Sequence, residues 1–141
     1  MTVQEALEKL RGAGFAEAGA CRFTPQAIRP GFQKRRCLPE GIQTILVGVY
    51  PYYSGDRRER NLSLYAVVPD YHVTLAGMLE RAAAELKALS PGHIFLPFAD
   101  NSPICEVEAA CRAGLGVRGR HNLLITPRFG SFVFIGELLT T

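Results

Sequence analysis

The chain has 141 residues, 48% of them hydrophobic and 21% charged, with a formal net charge of +3. That length suits one domain able to bury roughly 68–70% of its unfolded surface. Its longest apolar run, Ile42–Tyr50, is broken by Gln43, Thr44 and Gly48, and Met1-Thr2-Val3-Gln4-Glu5 has neither a basic nor an apolar leader, so membrane association and secretion are not expected and the cytoplasm is the expected location.

Thr2 can cap a first helix running to about Arg11, with Val3, Ala6, Leu7 and Leu10 on one face, and Gly12 and Gly14 end it. Phe15–Phe23, small and rich in Ala and Gly, reads as a strand. Thr24-Pro25 opens a helical or irregular basic segment to Cys37, and Pro39-Glu40-Gly41 is a turn. Thr44–Tyr50, with Ile45, Leu46, Val47 and Val49, is the clearest central strand. A loop follows through Pro51-Tyr52-Tyr53-Ser54-Gly55-Asp56 and an arginine run. Asp70 then caps a long helix whose apolar side carries Val73, Leu75, Met78, Leu79, Ala82, Ala83, Leu86 and Leu89, stopped by Ser90-Pro91-Gly92. His93–Ala99 is a strand, with Asp100 just past its end. Pro103 suits the first turn of a short helix to Ala113, closed by Gly114. Leu123–Thr126 and Ser131–Leu139 read as a strand pair joined by Pro127-Arg128-Phe129-Gly130. Strands and helices alternate, so the class is α+β with an α/β-like order: a mixed sheet flanked by helices.

The cysteines, Cys21, Cys37, Cys105 and Cys111, match no zinc or iron–sulfur spacing and read as reduced, buried thiols; no metal site is expected. Positive charge gathers at Lys34-Arg35-Arg36 and Arg57-Arg58-Glu59-Arg60, with Arg118, Arg120 and Arg128 nearer the glycines. Such runs are solvated surface or contacts for a phosphate-rich partner, either a nucleotide-like cofactor or RNA.

The segment from Phe98 to Glu137 carries the chemistry. Gly114-Leu115-Gly116 and Gly119 fit the spacing of a dinucleotide loop but follow a helical pattern rather than a strand, which argues against that fold. They read as a helix cap and tight turn, or as backbone packed closely on a flat ligand. Asp100 is either a cap for the Asn101–Glu106 turn or a proton donor, a role in which apolar surroundings disfavour its charged form. His72 reads as a surface or capping side chain, His93 and His121 have no partner at metal-ligand spacing, and no nucleophile elbow is present.

Taken in order, Tyr50-Pro51-Tyr52-Tyr53, Asn61-Leu62-Ser63-Leu64-Tyr65-Ala66, Asp70-Tyr71-His72, Asp100-Asn101-Ser102-Pro103, Ala113-Gly114-Leu115-Gly116, Asn122-Leu123-Leu124-Ile125-Thr126 and Gly130-Ser131-Phe132-Val133-Phe134-Ile135-Gly136-Glu137 resemble the N-terminal cobalamin-binding region of the epoxyqueuosine reductase family, from about residue 44 to 141. The resemblance implies a nitroreductase-related, corrinoid-binding fold over residues 1–141. It also implies a role in reductive removal of the epoxide oxygen in queuosine tRNA modification. Asp100 would be the proton donor, and Asn101, Ser102, Pro103, Gly114, Leu115, Gly116, Gly119, Asn122, Leu123 and Leu124 would face cobalamin. The family follows this region with a ferredoxin-like [4Fe–4S] module, whose cysteine run is not among the four cysteines here. The expectation is a domain that binds no cluster itself and is inactive without a C-terminal module or redox partner. Possible tRNA contact is implied too. The chain has Glu106-Val107 and Val117-Arg118-Gly119-Arg120 where many members have Glu-Arg and Trp-Ile-Gly-Lys. The other readings are a non-catalytic cobalamin carrier and a flavin-binding nitroreductase relative.

Overall fold

A computed structural model describes residues 1–31, 38–55 and 62–141. The clusters Lys34-Arg35-Arg36 and Arg57-Arg58-Glu59-Arg60, Asn61 and Cys37 lie outside the described residues. Helix α1 (Val3–Gly12) is opened by a capping box in which Glu5 N donates to Thr2 Oγ1 and Thr2 N to Glu5 Oε2. Strands β1 (Glu17–Arg22) and β2 (Thr44–Pro51) follow, then α2 (Tyr71–Leu89), β3 (Phe95–Phe98), α3 (Glu106–Arg112), a small ribbon of β4 (Val117–Arg118) and β5 (Leu124–Ile125), and β6 (Val133–Thr140).

The main sheet has the order β1-β2-β6-β3, and every pairing in it is antiparallel. Because side chains alternate along a strand, its two faces bury different sets. Leu46 and Leu138 face α1 and α2, where Leu7, Leu10, Leu75, Leu79 and Leu86 pack. Ile45, Val47, Val49 and Leu139 face Ile104, Ala109 and Ala110 of the α3 region and Leu115 and Leu124 of the segment beyond it. The expected α+β class with a sheet flanked by helices is therefore present, as three layers, but the main sheet is wholly antiparallel rather than mixed.

Phe15 explains two glycines. Gly48 and Gly136 are register partners in β2 and β6, and the Phe15 ring lies over both. A Cβ at Gly48 would stand 2.4 Å from Phe15 Cγ, and one at Gly136 2.9 Å from Phe15 Cζ. Gly48→Ala is expected to destabilise the chain by about 1–3 kcal/mol, the usual cost of overpacking, against the smaller gain from stiffening the unfolded chain. The urea midpoint measures this; an unchanged midpoint means the ring has room to shift.

Three local expectations are corrected. Val73 and Leu89 are 72% and 56% exposed, because α2 buries only the narrower stripe Leu75, Met78, Leu79, Ala82 and Leu86. The third helix starts at Glu106 rather than Pro103, because residues 103–105 are drawn to the Ala27–Arg29 segment by the bonds Arg29 N to Pro103 O and Cys105 N to Ala27 O. β5 pairs with β4 instead of β6, leaving only a Thr126–Gly130 bridge across the turn. β6 is free to take the centre of the sheet between β2 and β3. Among the described residues no helix is long and apolar enough to cross a membrane.

Candidate functional site

A cavity of about 390 Å³ opens where β2 leaves the sheet and β6 enters it. Its walls include Tyr52, Tyr65, Tyr71, Phe134, Val133, Ile135, Val107, Leu123 and Leu124, and two acids, Asp100 and Glu106, stand on it. The aromatic wall is assembled from three elements. Tyr71, first residue of α2, stacks on Phe134 of β6 at 4.2 Å and 11°, and Tyr52, just after β2, lies 4.5 Å from the same ring. The bond from Tyr52 N to Phe132 O at 3.0 Å continues the β2–β6 ladder and fixes this placement. Burial pushes the Tyr52 and Tyr71 hydroxyls above the ordinary phenol range, so both stay neutral donors. A larger depression of about 500 Å³ at the β1–β2 edge, lined by Cys21, Arg22, Phe23 and their neighbours, carries neither an acid nor an aromatic cluster.

At the rim, Asp70, His72 and Asp100 form a row. Asp70 Oδ1 accepts from His72 N at 2.9 Å, capping α2, and is also 2.9 Å from His72 Nδ1. His72 Nε2 is 3.1 Å from Asp100 Oδ2. The Asp70 hydrogen bond and, after the opposing effect of burial, that of Asp100 raise the His72 pKa, and the same His72 contacts lower that of Asp70. His72 therefore holds its ring proton more tightly than a free imidazole does, with Asp100 at its Nε2. The apolar burial expected around Asp100 is not found in this structure: its side chain is 54% exposed. Nor is Asp100 a helix cap, since Cys105 occupies the N-cap of α3 and makes no side-chain capping bond.

Behind Asp100 lies a group that sequence reading did not single out. Glu137 of β6 is only 1% exposed, and its Oε2 accepts from Ser102 Oγ at 2.5 Å. Its Oε1 has no hydrogen-bond partner among the described residues. Burial, opposed in part by Ser102, pushes its pKa up to about 8, with the Glu106 charge adding to the rise and Arg29 opposing it. Arg29 and Glu106 are themselves an ion pair. In the sequence it is a single acid inside the near-continuous apolar run Val133–Leu139.

The predicted residues separate into three groups. Asp100, Leu123 and Leu124 meet at the cavity. Ser102, Pro103 and Leu115 are buried within the chain. Gly114, Gly116, Gly119 and Asn122 belong to the turn and ribbon beyond α3, and Asn101 to an exposed turn. The chain itself accounts for the glycines: Gly114 has φ +78°, a Cβ on Gly116 would fall 2.3 Å from Ile125 O, and one on Gly119 would fall 2.4 Å from His121 Cε1. Asn101 and Asn122 also have positive φ, at 52° and 69°. Tyr52, Tyr65, Tyr71, Glu106, Val107, Val133, Phe134 and Ile135 also line the cavity, and none of them was among the residues expected to face a cofactor. The described cysteines Cys21, Cys105 and Cys111 are unpaired, and no group of three or more metal-ligating side chains converges among the described residues.

No family model matches the chain. It is 34% identical over 144 residues to the epoxyqueuosine reductase of Gloeobacter violaceus, covering 97% of this chain and 44% of that protein. The chain thus spans under half the length of this curated relative. In fold it is similar to epoxyqueuosine reductase from Streptococcus thermophilus, with a TM-score of 0.80, 20% identity and coverage of 99% of this chain and 46% of the other. A similar structure is an epoxyqueuosine reductase with an epoxyqueuosine-modified tRNA-Tyr stem loop, at a TM-score of 0.78, 20% identity and 97% and 44% coverage. A reductive dehalogenase structure described for B12-dependent dehalogenation matches at a TM-score of 0.57, 19% identity and 96% and 19% coverage.

Proposed function

We propose, from a chain that is homologous to the N-terminal region of the epoxyqueuosine reductases, that it is a corrinoid-binding domain for reductive epoxide removal from a modified tRNA nucleoside. The observation that carries this reading is the match along 97% of the chain. The solved relative with a tRNA stem loop and the B12-dependent neighbour support tRNA as substrate and cobalamin as cofactor.

The residues present suit a large flat macrocycle. The cavity wall is mostly aliphatic and aromatic, and beside it the β4–β5 ribbon leaves Val117, Leu123 and Ile125 exposed at 64%, 50% and 38%. Such contiguous apolar surface is what a bound apolar face would cover. Leu123, Leu124, Val107 and Ile135 would hold the group, with the turn through Gly114–Gly119 beside them. A reduced corrinoid held there would supply the electrons needed to break the carbon–oxygen bond. Asp100 gives a proton to the departing oxygen, and His72, hydrogen-bonded to it, returns one. Tyr52, Tyr71 and Phe134 exclude water from one wall. Net removal of the oxygen as water takes two electrons and two protons. An iron–sulfur module or redox partner is the proposed electron source, and without one this domain binds but does not turn over.

Incubation with cobalamin, desalting and an absorbance spectrum test the reading. Retained corrinoid absorbance supports it; a yellow protein with no corrinoid points to the flavin-binding alternative, and retained corrinoid with no turnover when electrons are supplied points to a carrier module. No protein nitrogen is expected on cobalt. His121 is occupied inside the ribbon, where its Nδ1 accepts from Leu123 N at 3.3 Å. His121→Ala should therefore leave the cobalt spectrum of the complex unchanged, and a shifted spectrum contradicts this.

A further inference from the structure

The turn from Ala99 to Ser102 carries Asp100, and both its ends meet the same residue. Phe98, last residue of β3, is the register partner of Glu137. Ser102, first buried residue after the turn, donates to Glu137 Oε2. Between them Asn101 reverses the chain at φ 52°. Beyond Ser102 the chain is tied elsewhere: Ile104 N donates to Ser102 Oγ at 3.3 Å, and Arg29 Nε donates to Ile104 O at 2.8 Å. We propose that Glu137 is a positioning residue for Asp100, acting through Ser102 to fix the turn that presents the acid to the cavity and to His72.

The chemistry of the contact favours this over a packing role. Glu137 stands between Val47 and Phe98 on the α3 face of the sheet, where aliphatic side chains otherwise fill the layer. An aliphatic residue there would spare the burial of a polar group but would leave the Ser102 hydroxyl, 3% exposed as a residue, without its acceptor. The groups facing Glu137 are Ser102 before α3, Glu106 on α3 and Arg29 on the preceding segment, and Arg29 is already paired with Glu106. No cation neutralises Glu137 directly among the described residues, so it is the acceptor for Ser102 and for nothing else. The importance of the turn for catalysis rests on the reading of Asp100 as the acid; its placement against His72 does not.

The test needs no cofactor. The His72 ring reports Asp100 through the 3.1 Å contact, so its NMR titration midpoint falls when the acid is removed or displaced. Asp100→Asn sets the size of that fall. Ser102→Ala and Glu137→Leu are expected to reproduce it and to speed amide exchange at residues 99–102 roughly tenfold, as for loss of one buried hydrogen bond, with α2 amides unchanged. Glu137→Gln keeps an acceptor oxygen and should leave both readouts as in the parent chain. If Glu137→Leu does not fold, Ser102→Ala decides alone. A midpoint that stays at the parent value in Ser102→Ala, or that does not move in Asp100→Asn, overturns the proposal. The expected shifts in a chain that retains no corrinoid would leave the positioning role standing and remove the functional reading instead.

Discussion

If the proposed function holds, Asp100→Asn is expected to lower the rate of epoxide removal by ~10²–10⁴-fold, the usual range for general acid catalysis, while leaving cobalamin binding intact. Opening the epoxide leaves an alkoxide that must be protonated, and a carboxylic acid held in place is a better donor than bulk water. Asn keeps the shape of the side chain and a partner for His72 Nε2 but has no proton to give. The assay is single turnover on an epoxide-bearing tRNA stem loop, with reduced cobalamin and a low-potential electron donor. Corrinoid binding that collapses together with the rate would make Asp100 a structural residue. A rate that survives would pass the proton-donor role to another group, and His72 is the next candidate because its Nε2 lies 3.1 Å from Asp100 Oδ2 at the same rim of the cavity.

Glu137→Gln is expected to remove a pH dependence of stability rather than stability itself. Burial holds the Glu137 pKa at about 8, against an ordinary value of 4.5. An acid whose folded-state value lies above its unfolded one binds its proton more tightly when folded. Its contribution favours folding fully below about 4.5 and is lost as pH rises toward about 8. Across that window the unfolded chain gains roughly 1 kcal/mol per pH unit from releasing this one proton. Gln mimics the neutral acid and has no proton to release. Urea midpoints of parent and variant should therefore be close near pH 5 and diverge with rising pH, the variant becoming the more stable by pH 8.5. Parallel curves would mean that Glu137 is ionised when folded.

The elements legible in the sequence were those whose signal is local. The Thr2 cap and the Leu7, Leu10 spacing identify α1, Asp70 marks the start of α2, and Ile45 to Val49 identify the central strand. What escaped was set by contacts far along the chain. Pro103 looks like a helix start, yet Arg29, 75 residues from Ile104, holds that segment extended. Leu124-Ile125 looks like the partner of the next strand, yet Gly116 lets the ribbon close the other way. Asp100 stood out because a polar Asp-Asn-Ser-Pro step contrasts with an apolar core, whereas the Leu123-Leu124 edge was expected only from the family resemblance; both line the cavity. Glu137 was not, because a single acid in a strand gives no local sign of facing inward. His72 became informative only when the fold brought Asp100, 28 positions later, to its ring.

The position of β6 governs how the chain can be made. This strand lies in the middle of the sheet, bonded to β2 on one side and β3 on the other, yet of the described strands it is the last to leave the ribosome. Until Val133–Thr140 emerges, β1 and β2 can pair only with each other, and the inner edge of β2 stays open along Ile45, Val47 and Val49. That edge is long, apolar and unprotected, the kind on which nascent chains pair with one another. A ribosome that stalls a few residues before β6 therefore releases a sheet missing its centre, a species for chaperones and proteases to clear.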